Sequence, residues 1–206
     1  MPNIRHLSLE PWGDLFDTLD CLNLPGLTSV RLQGNNMDYL YLKPTEVTNR
    51  RFRSFFDRTP GSKVVSLSLD TVPISDEVII SLLRMVPTLE QLDIAEKYHR
   101  EYKSISTYFW KSLSIVRPTS SHIVVPRLKE LNLTFYGKDL DDDALLDTLT
   151  SRFDPGGDVA PLKIITLNIV GTVSKKLEES LGYLKTYSGS KGTRLSVECF
   201  KRQTRS

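Results

Sequence analysis

Cysteine and histidine are scarce in this chain: two and three residues out of 206. Cys21 and Cys199 lie near its opposite ends, so no disulfide between them is expected. The opening MPNIRHLSLEPWG contains no apolar h-region, so no secretory signal is expected. Together these point to a reducing compartment, the cytoplasm or nucleus. No apolar run approaches the roughly 18 residues that a membrane-spanning helix needs. A surplus of one charge sign is missing too. With 27 basic and 25 acidic residues the net charge is +2, far from the basic balance of a dedicated nucleic-acid binder. At 39% hydrophobic and 25% charged residues, the composition is that of an ordinary folded domain.

Chemistry-bearing constellations are also sparse. None of His6, His99 and His122 has a second ligand at metal-binding spacing on a helix face. The acidic run Asp139, Asp141, Asp142 and Asp143 lacks the central glycine and closing glutamate of a calcium loop, its twelfth position being Thr150. Carboxylates there suit a helix N-terminus instead. The stretch Gly189 to Arg194 lies between a helical and a strand-like segment, so it reads as a turn and not as a phosphate loop. Asn132-Leu133-Thr134 spells a glycosylation acceptor, but Leu133 is an expected core residue. No cofactor, metal or catalytic set is expected, and an enzyme is the least favoured reading.

What the chain has is a recurring phrase, L-x-x-L-x-L, with Val or Ile allowed. Its copies place apolar residues at Ile4, Leu7 and Leu9; Leu27, Val30 and Leu32; Val64, Leu67 and Leu69; Leu89, Leu92 and Ile94; Leu128, Leu131 and Leu133; and Leu162, Ile165 and Leu167. A fainter seventh copy has Leu195 and Val197, with Gly192 at its first apolar position. The starts are separated by 23, 37, 25, 39 and 34 residues. In a strand the L-x-L part sends two side chains into a core and the residue between them to the opposite face. The phrase resembles that of leucine-rich repeats, which usually span about 20 to 29 residues, so the longer gaps imply long helices or inserted loops.

Between the phrases the apolar spacing becomes helical. One face is formed by Trp12, Leu15, Phe16, Leu19 and Leu22, others by Val78, Leu82 and Met85, by Leu145, Leu149 and Phe153, and by Leu177, Leu181 and Leu184. Start signals are Ser75 with Asp76 and Glu77, Asp141 to Asp143, and Thr172 or Ser174. Pro87, Pro155-Gly156-Gly157 and Gly189 are expected to end helices, and Pro126 and Pro161 to sit directly ahead of strands. The expected architecture is α/β: an irregular leucine-rich-repeat solenoid over residues 1–200, ribonuclease-inhibitor-like. It would have six to seven repeats, a curved parallel sheet on the concave side and helices on the convex side, with 201–206 as a disordered basic tail.

The order of elements is similar to the leucine-rich-repeat region of fungal F-box proteins, the basidiomycete set in particular. The matching stretches are RFRSFFDRTPGSKVVSLSL, SDEVIISLLRMVPTLEQLDI, VPRLKELNLTFYGKDLDDDALLDTLTSRF and LKIITLNI, which cover most of residues 46 to 170. The P-x-L-x-x-L lead-in and the helix end Ser151-Arg152-Phe153 narrow the likeness beyond the shared phrase. The resemblance implies a substrate-recognition domain of a ubiquitin-ligase receptor. Its F-box, a helical motif that binds a Skp-family adaptor and through it a cullin, has no counterpart here. The chain opens inside a repeat at Asn3, without a capping unit. It therefore reads as the C-terminal piece of a longer protein or a truncated gene product, with Skp and cullin as partners only if an F-box lies upstream.

If the L-x-L residues face inward, the opposite strand face is polar and slightly acidic. It carries His6, Ser8, Glu10, Ser29, Arg31, Gln33, Ser66, Ser68, Asp70, Gln91, Asp93, Glu130, Asn132, Thr134, Ile164, Thr166, Asn168, Arg194, Ser196 and Glu198. The residues expected to bind an as yet unknown protein ligand are Arg31, Gln33, Ser68, Asp70, Gln91, Asp93, Glu130, Asn132, Thr134, Thr166 and Asn168. The connection over 96–126 offers a second surface, although its Tyr108, Phe109 and Trp110 read better as core. The alternative is a nucleic-acid or anionic-surface binder acting through Arg50, Arg51 and Arg53 and the tail Lys201, Arg202 and Arg205. Nucleic acid is the less favoured partner, because the first cluster also reads as the solvated side of a helix whose apolar side is Val47, Phe52, Phe55 and Phe56.

Overall fold

The computed structural model describes residues 4–10, 15–34, 46–59, 63–72, 74–96, 103–115, 123–138 and 140–200. Strands and helices alternate throughout. Their order is β1 (His6–Leu9), α1 (Leu15–Cys21), β2 (Ser29–Gln33), α2 (Glu46–Asp57), β3 (Ser66–Asp70), α3 (Asp76–Met85), β4 (Gln91–Ala95), α4 (Thr107–Leu113), β5 (Glu130–Tyr136), α5 (Asp142–Phe153), β6 (Ile164–Val170), α6 (Lys175–Ser190) and β7 (Arg194–Phe200). Among the described residues the seven strands lie in one sheet in sequence order, and every pairing is parallel. Parallel neighbours need a crossover between them, and here a helix supplies each one. Each helix packs on the next one along the chain, so the result is a solenoid-like α/β array.

The repeated phrase forms the core as continuous rows. Leu7, Val30, Leu67, Leu92, Leu131, Ile165 and Leu195 stand in register across the sheet, as do Leu9, Leu32, Leu69, Ile94, Leu133, Leu167 and Val197. From β2 to β6 both rows are buried, whereas Leu7, Leu9 and Val197 at the ends are half-exposed. Interior rungs are covered on both sides and end rungs on one. Ile4, which opens the first phrase, is exposed. The seventh copy, faint in sequence, forms a complete strand.

The lead-in to the phrase has a local cause. In Leu24-Pro25-Gly26-Leu27, Val86-Pro87-Thr88-Leu89 and Val125-Pro126-Arg127-Leu128, the last amide donates to the first carbonyl at 3.1, 3.0 and 3.2 Å. Proline pre-sets the backbone at the second position of such a turn. Pro126 therefore forms a turn corner ahead of β5, and Pro161 lies ahead of β6, both before their strands as expected. Gly192 donates to Gly189 in the same way, at 3.1 Å. Its φ of +71° explains why the seventh phrase has glycine where the others have an aliphatic residue. Gly189 does not end α6 as expected. The helix runs on to Ser190, and Gly192, with its left-handed backbone, follows the cap at Lys191.

Helix starts follow their capping residues. The side chains of Ser75, Asp141 and Ser174 accept from the amides of Val78, Ala144 and Leu177 at 3.4, 3.0 and 3.0 Å. Ser174, and not Thr172, is thus the cap of α6. The rest of the acidic run is also engaged structurally: Asp142 accepts from the Ser174 hydroxyl at 2.6 Å and Asp143 pairs with Lys176 at 3.0 Å. Asp139 lies outside the described residues. Leu82, Leu145, Leu149, Phe153, Leu177 and Leu181 are buried on their helices, while Met85 and Leu184 are partly buried. Trp12, and the side chains of Leu15 and Phe16, lie outside the description.

The helix end Ser151-Arg152-Phe153 closes the long β4–β5 connection. Arg152 is buried, with Nε donating to the Leu113 carbonyl at 2.7 Å, Nη1 to Val125 at 3.1 Å and Nη2 to Val124 at 2.7 Å. The Ser151 hydroxyl accepts from the Ile115 amide at 3.0 Å. Burial pushes the guanidinium down to about 10, which still leaves it cationic at neutral pH.

Candidate partner-binding face

A strand alternates its side chains, so residues between core positions must point away from the helices. Register decides which of them become neighbours. Serial pairing sets Ser68, Asp93, Asn132 and Thr166 beside Arg31 in one row. A flanking row holds Ser66, Gln91, Glu130 and Ile164, and the other holds Gln33, Asp70, Ala95, Thr134 and Asn168. All eleven expected binding residues therefore stand on one solvent-facing side of β2 to β6, in adjoining rows. Arg31, Gln91 and Asp93 are exposed, and the others are half-buried between their neighbours.

The polar groups on this face are loosely held. Arg31 Nη2 is 3.9 Å from Asp70 Oδ2, with both side chains solvated, a geometry that contributes little to stability. Asn168 Nδ2 donates to Thr134 Oγ1 at 3.2 Å. Asp93 sits where burial raises its carboxyl above the usual range, Asp70 raises it further and Arg31 partly offsets both. A cation arriving from a partner would relieve that pair of neighbouring carboxylates.

The face extends beyond the expected residues. β5, β6 and β7 run seven residues each, which aligns Tyr136, Val170 and Phe200 as a further row beyond Thr134, Asn168 and Glu198. Phe200 is exposed. The signal was present in sequence: Phe135, Ile169 and Cys199 continue the alternation two residues past each phrase, and Phe135 and Ile169 are fully buried.

The second expected surface divides in two. Phe109 and Trp110 are buried in α4, their rings edge to face at 5.5 Å, and only Tyr108 of that trio is exposed. The Glu96 carboxylate ties down the start of this connection by accepting from the amides of Ser104 at 2.7 Å and Tyr136 at 3.3 Å. Residues 97–102 and 116–122, including His99 and His122, lie outside the description. Of the basic cluster, Arg50 and Arg53 are exposed, but Arg51 pairs with Asp17 at 2.9 Å and Asp20 at 3.4 Å. Phe52 and Phe55 on the same helix are buried; the Val47 side chain and the tail 201–206 are outside the description. His6 is exposed on β1. Cys21 and Cys199 are both free and exposed. Among the described residues no group of three or more His, Cys, Asp or Glu could hold a metal ion, and no helix is long and apolar enough to cross a membrane.

Comparison with protein-family models, curated proteins and solved structures finds no match to this chain.

Proposed function

We propose that this chain is a leucine-rich-repeat recognition module, ribonuclease-inhibitor-like, that binds a protein partner through the polar face of β2 to β6 and performs no catalysis. The observation that carries the reading is the register: residues from five separate phrases form adjoining rows of polar, partly solvated side chains on a rigid sheet. Solenoids use such extended faces for partners because each repeat adds one more strip of surface. The likeness to fungal F-box receptors makes the partner a protein presented for recognition. Coupling to a Skp adaptor and a cullin would require an F-box outside this segment.

The test is charge reversal on the face. Asp93→Lys alters an exposed position and Glu130→Lys a half-buried one on the solvent side of the sheet, so the thermal unfolding midpoint is expected to stay within a few degrees. Partners recovered by proximity labelling, then purified and titrated, are expected to lose at least about tenfold in affinity to the double variant. Affinity unchanged in the double variant and in a further Arg31→Glu variant would overturn the assignment of this face.

A further inference from the structure

Among the described residues β7 is the last strand of the sheet and pairs only with β6. In that ladder the Arg194 amide donates to Lys163 at 2.8 Å and the Phe200 carbonyl accepts from Gly171 at 2.9 Å. Even-numbered residues of β7 therefore turn their backbone groups toward β6. Leu195, Val197 and Cys199 turn theirs outward, because parallel ladders alternate in this way. Among the described residues no group takes those outward amides and carbonyls. β7 is seven residues long against four for β1 at the opposite edge, and a long open edge is a template for another strand.

The order of side chains on this edge is self-complementary. Turn a second β7 antiparallel to the first about a two-fold axis through Ser196. Leu195 then faces Val197 of the other copy, and these two outward-turned residues exchange both backbone hydrogen bonds. Arg194 faces Glu198 of the other copy at a non-hydrogen-bonded position, where side chains approach most closely. The two-fold repeats each pairing once more. Neither Arg194 nor Glu198 has an ion-pair partner among the described residues. Shifting the axis to Val197 sets Arg194 against Phe200, and shifting it to Glu198 sets that carboxylate against its own copy. Charge therefore selects Ser196.

The adjacent helix leaves room for this. Tyr187 of α6 packs toward Phe153 of α5, with ring centroids 6.2 Å apart. Glu178, on the opposite flank, is close enough to Cys199 to act on its thiol. Gly182 and Gly189 follow Glu178 along that flank at helical spacing, and a side chain added at either would meet nothing within 4 Å. Lys185 shares this flank and is exposed, and its unbranched side chain can turn to solvent as a neighbouring copy approaches.

We propose that β7 is a self-association edge, at which a second copy of this chain adds its own β7 antiparallel about Ser196 and joins the two sheets into one, with Arg194 and Glu198 paired across the axis. The arrangement sets two polar faces side by side, so a partner with two epitopes gains from linkage. The inference rests on the edge alone and stands whether or not the polar face binds a protein.

The experiment uses the full chain. Light scattering after size exclusion is expected to give twice the 23.4 kDa chain mass. Arg194→Glu and Glu198→Arg are each expected to weaken the dimer by more than about tenfold, and the combined reversal to restore it. With Cys21 and Cys199 replaced by serine, Ser196→Cys is expected to form an intermolecular disulfide under mild oxidation, because residues on the axis lie within disulfide reach. A monomer at every concentration overturns the proposal. So does a dimer indifferent to both single reversals, or one that the combined reversal fails to restore. Circular dichroism melts of the single variants, altered at exposed positions, separate loss of pairing from loss of fold.

Discussion

Arg152→Met removes a buried cation while keeping much of its length. The guanidinium makes three charge-assisted hydrogen bonds, to the carbonyls of Leu113, Val124 and Val125, and none of its partners is a carboxylate. Among the described residues its burial is offset by those dipoles alone. Methionine leaves the Leu113 and Val124 carbonyls without this donor, at about 1–3 kcal/mol each taken separately, while Val125 keeps the Leu128 amide. Because they share one site, the losses do not add, and breaking a buried charged network typically costs about 3–5 kcal/mol. For a domain of this size that corresponds to a fall of roughly 6–20 °C in the unfolding midpoint. Burial depresses the folded-state value of Arg152 to about 10, below that of the unfolded chain. Linkage from this group therefore appears only as pH rises through and above that value, and the Met deficit is expected to stay flat from roughly pH 6 to 9. Urea titrations across that range measure it. Arg152→Lys, a compact ammonium unable to span three carbonyls, should recover part of the loss. Hydrogen exchange should report the damage first at the Leu128 amide, which shares the Val125 carbonyl with Arg152. A Met variant within about 1 kcal/mol of wild type would refute the claim that this residue holds the β4–β5 connection.

Two further outcomes follow from the geometry. A Cβ at position 34 would collide with the Thr71 carbonyl oxygen, a backbone atom, so Gly34→Ala is expected to cost about 1–3 kcal/mol in a urea titration. Asp93→Asn removes a carboxylate raised by burial and by Asp70. A raised folded-state value means that this group's contribution is most favourable in acid and is lost as pH rises through that value. The Asn variant is therefore expected to be as stable as wild type or slightly more so at neutral pH, within about 0.5 kcal/mol, with the gap closing as pH falls below the Asp93 range; a gap that widened in acid would contradict the assigned cause.

Much of the candidate face was legible because strand alternation is local. Once Leu67 and Leu69 are core, Ser68 has nowhere else to point, and the same logic assigned Asp93, Asn132 and Thr166. The overlooked residues, Tyr136, Val170 and Phe200, lie past the end of the phrase, where alternation continues without leucine. Pro126 was legible as lying ahead of its strand, whereas the turn that it forms there is visible only in the hydrogen bond from the Leu128 amide to the Val125 carbonyl. Gly189 was misread because glycine at a helix end signals a stop only where the backbone turns left-handed, and here that residue is Gly192.

By itself the order of amino acids determined the alternation of strands and helices, the helix starts at Ser75 and at the Asp141 to Asp143 run, and the assignment of each strand residue to one face, since all of these depend on neighbours a few positions apart; the choice of Ser174 over Thr172 as a cap it left open. The folded arrangement alone decided which strand residues stand beside each other, what Ser151-Arg152-Phe153 holds, and that β7 meets no further strand among the described residues. Crossovers of unequal length carry no information about register. Only packing the aliphatic rows into one core sets each strand against the next, and only burial turns Arg152 from an ordinary helix-end cation into a clasp on three carbonyls.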